Sequence, residues 1–182
     1  MIIRLFFFTL IFFGFNASYI IQPTHASSKL GKIEFPTSGS GVAQNHFITG
    51  VAALHSFWYP EALQEFKNST KADPNFAMGY WGEAMAHNAP LWERQDSKSA
   101  KAALSQISDL SELTQRERDY IQAVQLLYGE GEKKVRDKAY SNAMKKIYSK
   151  YPNDLEAACF YSLSLLGIAR NSEKKIKLKV DS

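Results

Sequence analysis

Three histidines and a glutamate, His46, His55, His87 and Glu83, are the side chains whose types and spacing could do chemistry. Glu83 and His87 stand four apart in a run with helical periodicity, so they share a helix face, and this spacing can serve two metal ligands. His55 could approach from a neighbouring helix, and a His/Glu site of that kind would activate a water. The spacing is not the H-E-x-x-H pattern of zinc proteases, and neither a nucleophile motif nor a phosphate-cradling loop accompanies it. The competing reading has Glu83 and His87 bonded to each other or to backbone at a junction between helices. We adopt the second reading, which makes the chain a non-enzyme with no cofactor and no assigned metal. His55, Glu83 and His87 are kept as the metal candidates to be tested.

Those residues must be positioned by helices. Apolar residues recur at three and four, not at two, and no convincing strand is legible. A first helix spans about Val42 to Ser56, with Phe47, Val51 and Leu54 on one stripe. Pro60 suits the start of a second, which carries Ala62, Leu63 and Phe66 inward and ends near Ala72 at an Asp73-Pro74 turn. A third runs from about Phe76 to Asn88. Tyr80, Ala84 and His87 form one stripe and Met78, Trp81 and Met85 another, so it should pack on two sides. Pro90 stops it, and Asp96 or Ser97 can cap a short helix to about Ile107. Thr114 and Glu117 form a capping box for a fifth, whose stripe is Tyr120, Ile121, Val124, Leu127 and Tyr128. A basic sixth helix spans about Glu132 to Lys150. Asn153 with Glu156 can cap the last, whose apolar face reads as Leu155, Ala158, Cys159, Ser162, Leu165 and Leu166. From residue 170 the chain is a charged tail.

The 182 residues suffice for one domain with a real core, and a net charge of +4 does not by itself imply nucleic acid. The N-terminal "MIIRLFFFTLIFFGF" has one positive residue, Arg4, and an apolar run of roughly ten residues. With the small residues Thr24 and Ala26 before Ser27, this is the layout of a secretory signal peptide over residues 1–26. Export to the periplasm or beyond is therefore expected, with a membrane contact only if the leader stays uncleaved. Export also disfavours nucleic acid as a partner. Residues 27–41, rich in Ser and Gly, should form an extended lead-in to a helical domain over 42–169. The one cysteine, Cys159, excludes an intramolecular disulfide, and its apolar surroundings read as those of a buried, inert thiol. Asn68-Ser69-Thr70 matches a glycosylation acceptor but falls inside a predicted helix.

Short helices joined by tight turns suggest an all-α array of stacked antiparallel hairpins, and one spacing makes that specific. Gly50, Ala62, Phe66 and Pro74 match the Gly, Ala-x-x-x-Phe and Pro positions of the tetratricopeptide repeat (TPR). The small residues let two helices cross closely, and Phe66 fills the space beneath the next hairpin. The pattern's Trp and Tyr positions fall on His46 and Ala53, so the match is partial, and only the first of about three hairpins is regular. The segments "EFPTSGS", "AQNHFITGVAALHSFWYPEA", "ADPNFAMGYWGEAM" and "APLW" carry a further resemblance. Over residues 33–168 the chain resembles a family of exported bacterial TPR proteins. Because members of that family look longer, the lysine-rich end reads as a truncated or frame-shifted product, with a naturally short, dimerising protein as the alternative.

The resemblance implies a concave groove lined by the first helix of each hairpin. Gln44, Phe47, Val51 and Leu54 would come from one helix, and Met78, Trp81, Met85 and Asn88 from the next. Such an aromatic, Met-lined surface suits an extended peptide or an amphipathic helix. The same residues could instead pack against the lead-in or the next hairpin. Phe47 and Val51 stand where a carboxylate clamp would need Lys and Asn, which argues against binding of chaperone tails. The basic residues Lys133, Lys134, Arg136, Lys138, Lys145, Lys146 and Lys150 read as a solvated face. The expectation is an exported, non-catalytic scaffold whose partner is a protein or peptide, with self-association as a further mode. A metal-enzyme fragment and a structural assembly module are the alternatives.

Overall fold

The computed structural model describes residues 30–180, the last ten by their backbone alone. The leader expected over residues 1–26 lies outside them. The protein is all-α. Among the described residues there are seven α-helices, α1 (Gly41–His55), α2 (Tyr59–Ala72), α3 (Ala77–Ala86), α4 (Ser97–Leu104), α5 (Gln115–Leu127), α6 (Lys133–Lys150) and α7 (Leu155–Val180). Helices α1, α2 and α3 pack in succession, as do α5, α6 and α7, while α3 also touches α1, α4 and α5. Helix α7 continues through the charged stretch from residue 170 to Val180.

The punctuation follows local chemistry. Pro60 sits in the first turn of α2, where a missing N–H costs nothing. The Asp73 carboxylate accepts from the Asn75 N–H at 2.9 Å and so shapes the turn at Pro74. Asp96 caps α4 by accepting from the Ser99 N–H at 3.1 Å. Thr114 and Glu117 form the expected capping box at α5. Between α3 and α4 the chain makes a small excursion that the sequence did not reveal. Strands β1 (Asn88–Ala89) and β2 (Arg94–Gln95) pair antiparallel around a tight 3-10 turn at Pro90–Trp92. Glu93, in the left-handed region at φ 52°, closes the reversal.

Gly50 and Phe66, close in the sequence, meet in the packing. Phe66 is fully buried, and its ring lies against two glycines. A Cβ at Gly50 would stand 2.7 Å from that ring and one at Gly82 only 2.2 Å, so α1 and α3 approach α2 at glycine distance. Helix α3 is buried over most of its circumference, and the predicted α5 stripe is buried throughout.

Helix α7 corrects the sequence reading. Its inward residues are Glu156, Ala157, Phe160, Ser164 and Gly167. Leu155 is 76% exposed, Leu165 and Leu166 are exposed, and Cys159, expected to be buried, is exposed as well. Apolar residues ring much of this helix, and the face that turns inward is the one whose Phe160 meets Trp81 and whose Glu156 meets His55. Asp154, not Asn153, caps α7 by accepting from the Ala157 N–H at 3.2 Å.

Candidate functional site

Alternate helices supply aromatic residues to the core. Phe47 comes from α1, Trp81 from α3, Tyr120 from α5 and Phe160 from α7. Trp81 packs edge-on against Tyr120 and Phe160, with centroids 5.7 and 5.4 Å away. At the centre lies Phe35, a lead-in residue, 1% exposed. Its ring is 5.2 Å from Phe47, 5.6 Å from Trp81 and 5.0 Å from Tyr120.

Side chains of the helices read the backbone of the lead-in. Gln44 Nε2 donates to the Phe35 carbonyl at 3.0 Å, and Arg116 donates to the Pro36 carbonyl at 3.1 Å. Glu117, fully buried, accepts from both the Ser38 N–H at 2.7 Å and the Ser38 hydroxyl at 2.8 Å. The same carboxylate accepts from the Thr114 N–H and hydroxyl, so all its capacity is used. The Thr37 hydroxyl donates to Gln44. Gly39 passes so close to Phe76 that a Cβ would stand 2.4 Å from the ring.

Arg116 joins these parts. Its guanidinium lies 4.3 Å from the Phe35 ring centroid and 4.9 Å from that of Tyr120, and its Nε donates to Asp154 at 2.7 Å. The Tyr120 hydroxyl donates to the same carboxylate oxygen at 3.0 Å. Burial alone would raise the Asp154 pKa. The hydrogen bond and positive charge of Arg116 outweigh it and hold the carboxyl below its ordinary value. Burial, followed by the negative charge of Asp154, pushes the Tyr120 phenol well above its ordinary range, so it remains a donor.

The eight residues predicted to line a groove divide into groups. Phe47 and Trp81 pack on Phe35, and Gln44, half-buried, bonds its carbonyl. Val51 and Met78 are fully buried in the core. Leu54, Met85 and Asn88 border a narrow pocket of about 30 Å³ that Tyr59 also lines, its hydroxyl buried with no hydrogen-bond partner among the described residues. Seven of the eight are therefore buried, and the inner face is filled, not open. Open clefts adjoin the lead-in, one at each of its ends. The first, of about 570 Å³, is bordered by Lys32, Glu34, Arg116 and Asn153. The second, of about 470 Å³, is bordered by Ser38, Gly39, Phe76 and Glu112.

The metal candidates are not brought together. His55 Nε2 lies 2.5 Å from Glu156 Oε2, which links α1 to α7, and the His55 ring packs on Phe160. Glu83 accepts from the Thr70 hydroxyl at 2.8 Å. His87 follows the end of α3, and its carbonyl accepts from the Asp96 N–H at 3.0 Å. Burial lowers the His87 pKa although the Asp96 charge opposes it. His46 pairs with Glu65 at 2.6 Å. Among the described residues no group of three His, Cys, Asp or Glu side chains comes together to hold a metal.

Sequence reasoning missed Phe35, Ser38, Gly39, Arg116 and Asp154. One signal was present: "EF" followed by Pro36 is a large apolar residue in an otherwise Ser- and Gly-rich stretch. No family model, curated protein or solved structure matches the chain.

Proposed function

We propose that the chain is a non-catalytic scaffold that holds an extended peptide on the inner face of stacked, TPR-like hairpins in an exported compartment. One observation supports this reading. A non-helical segment of the chain, residues 33–39, already lies there, held by an aromatic pocket and by side chains that bond its backbone. Helices that read a strand through Gln44, Arg116 and Glu117 offer preformed donors and acceptors, so little ordering of the scaffold opposes binding.

The test is photo-crosslinking in the compartment where the chain resides. A photoreactive residue replaces Asn153, which borders an open cleft, and a control replaces the exposed Lys138 on α6. The expected outcome is a discrete adduct at Asn153 only, with mass spectrometry placing the crosslink in an extended, aromatic-containing segment of the partner. A folded protein that yields no adduct, or equal adducts at both positions, overturns the reading.

A further inference from the structure

We propose that the lead-in is a displaceable occupant of its own binding face, and that the ligand which replaces it is an extended peptide of the pattern Phe-Pro-x-Ser-Gly. This rests on the scaffold reading and deepens it. The pattern follows from the contacts. The pocket formed by Phe47, Trp81 and Tyr120 takes a phenyl ring. The next position offers only a carbonyl, to Arg116, which a proline supplies without an N–H to satisfy. Two positions on, Glu117 requires an N–H and rewards a hydroxyl. The position after that tolerates no side chain, because Phe76 stands in the way.

Three features mark the segment as a tethered ligand. First, among the described residues, no backbone group from 31 to 39 bonds to another backbone group, so leaving breaks no ladder. Second, Gly41, the first residue of α1, has φ 54°, in the left-handed region that glycine adopts freely, and it can serve as the hinge. Third, open clefts of about 570 and 470 Å³ adjoin the two ends, where an incoming peptide can gain contacts before the resident one has lost all of its own. A short tether presents its segment at an effective concentration of about 1 mM. A free peptide with an intrinsic dissociation constant of about 10 μM would then bind the intact chain roughly a hundredfold more weakly than a chain whose own segment cannot dock.

The experiment uses the full chain, its Phe35→Ala variant and a fluorescein-labelled peptide of residues 31–40. We expect the peptide to bind the variant about a hundredfold more tightly than the intact chain, and a peptide carrying Phe35→Ala or Gly39→Val to bind neither. A variant with native circular dichroism that binds no more tightly than the intact chain overturns the proposal. If the variant does not fold, hydrogen exchange on the unaltered chain decides. Exchange of the Ser38 amide well before those of α3 supports displacement, and exchange only together with α3 overturns it. The scaffold reading fails separately: a peptide that binds the variant in solution while the chain gives no Asn153 adduct in its compartment would keep the displacement and remove the partner.

Discussion

Arg116 spreads its guanidinium over Phe35 and Tyr120 while its edge bonds Asp154 and the Pro36 carbonyl. A lysine keeps the charge but not the flat, forked geometry. Arg116→Lys is therefore expected to lower stability by about 1–2 kcal/mol, read by urea denaturation, and to speed exchange of the Ser38 amide. The pH dependence follows from Asp154, whose folded-state pKa is depressed. Its contribution is complete above the ordinary aspartate value of about 3.9 and is lost as pH falls through the lower folded value. The lead-in should thus stay docked from pH 7 to about 4 and loosen below that. Asp154→Asn should flatten the acid limb when followed by hydrogen exchange at Ser38. None of this was legible at residue 116, which sits in "QRERDY" and reads as a solvated first turn. Its partners Asp154 and Pro36 are 38 and 80 positions away, and no local pattern encodes such contacts. Glu117 shows the same divide. Its capping box could be read from Thr114, but its bond to Ser38 could not.

At the scale of elements, the Phe66 ring between Gly50 and Gly82 sets how closely α1, α2 and α3 meet. Gly82→Ala should cost about 1–3 kcal/mol through overpacking, despite the higher helix propensity of alanine. A Gly82→Ala/Phe66→Leu double variant should lose less than the two single changes added together, since the smaller side chain leaves room for the new methyl. Thermal unfolding of the four proteins measures the difference. Here the sequence was informative, because Gly50, Ala62, Phe66 and Pro74 lie close enough for spacing to register the crossing. It was uninformative for α7, where apolar residues ring much of the helix and Leu155, Leu165 and Leu166 face outward. A stripe of apolar residues identifies a helix, but the inward face of α7 was decided by Phe160 and Glu156 finding Trp81 and His55 on distant helices.

Across the whole molecule, the pair of His55 and Glu156 joins the first helix to the last and closes the array around Trp81. The Glu156 side chain is nearly buried, so Glu156→Ala removes a charged hydrogen bond from a dry setting. We expect a loss of about 2 kcal/mol, seen as a lower urea midpoint with an unchanged slope. Trp81 emission should shift to the red as the closure loosens, measured with the exposed Trp58 and Trp92 replaced by Phe so that Trp81 is the one emitter. The placement of Phe35 has a temporal consequence. A chain leaves the ribosome from its N-terminus at about 5–20 residues per second. Phe35 therefore emerges long before the rest of its surroundings, since its pocket needs Tyr120, and the helix that backs the pocket needs Phe160. For on the order of ten seconds the segment that will plug the core has nothing to plug. Its docking joins residues as far apart as Ser38 and Glu117, 79 positions, and contacts of that range are slow to form. Among the described residues, the segment made first is thus the last to be finished, and in every newly made copy the pocket of Phe47, Trp81 and Tyr120 forms before Phe35 settles in it.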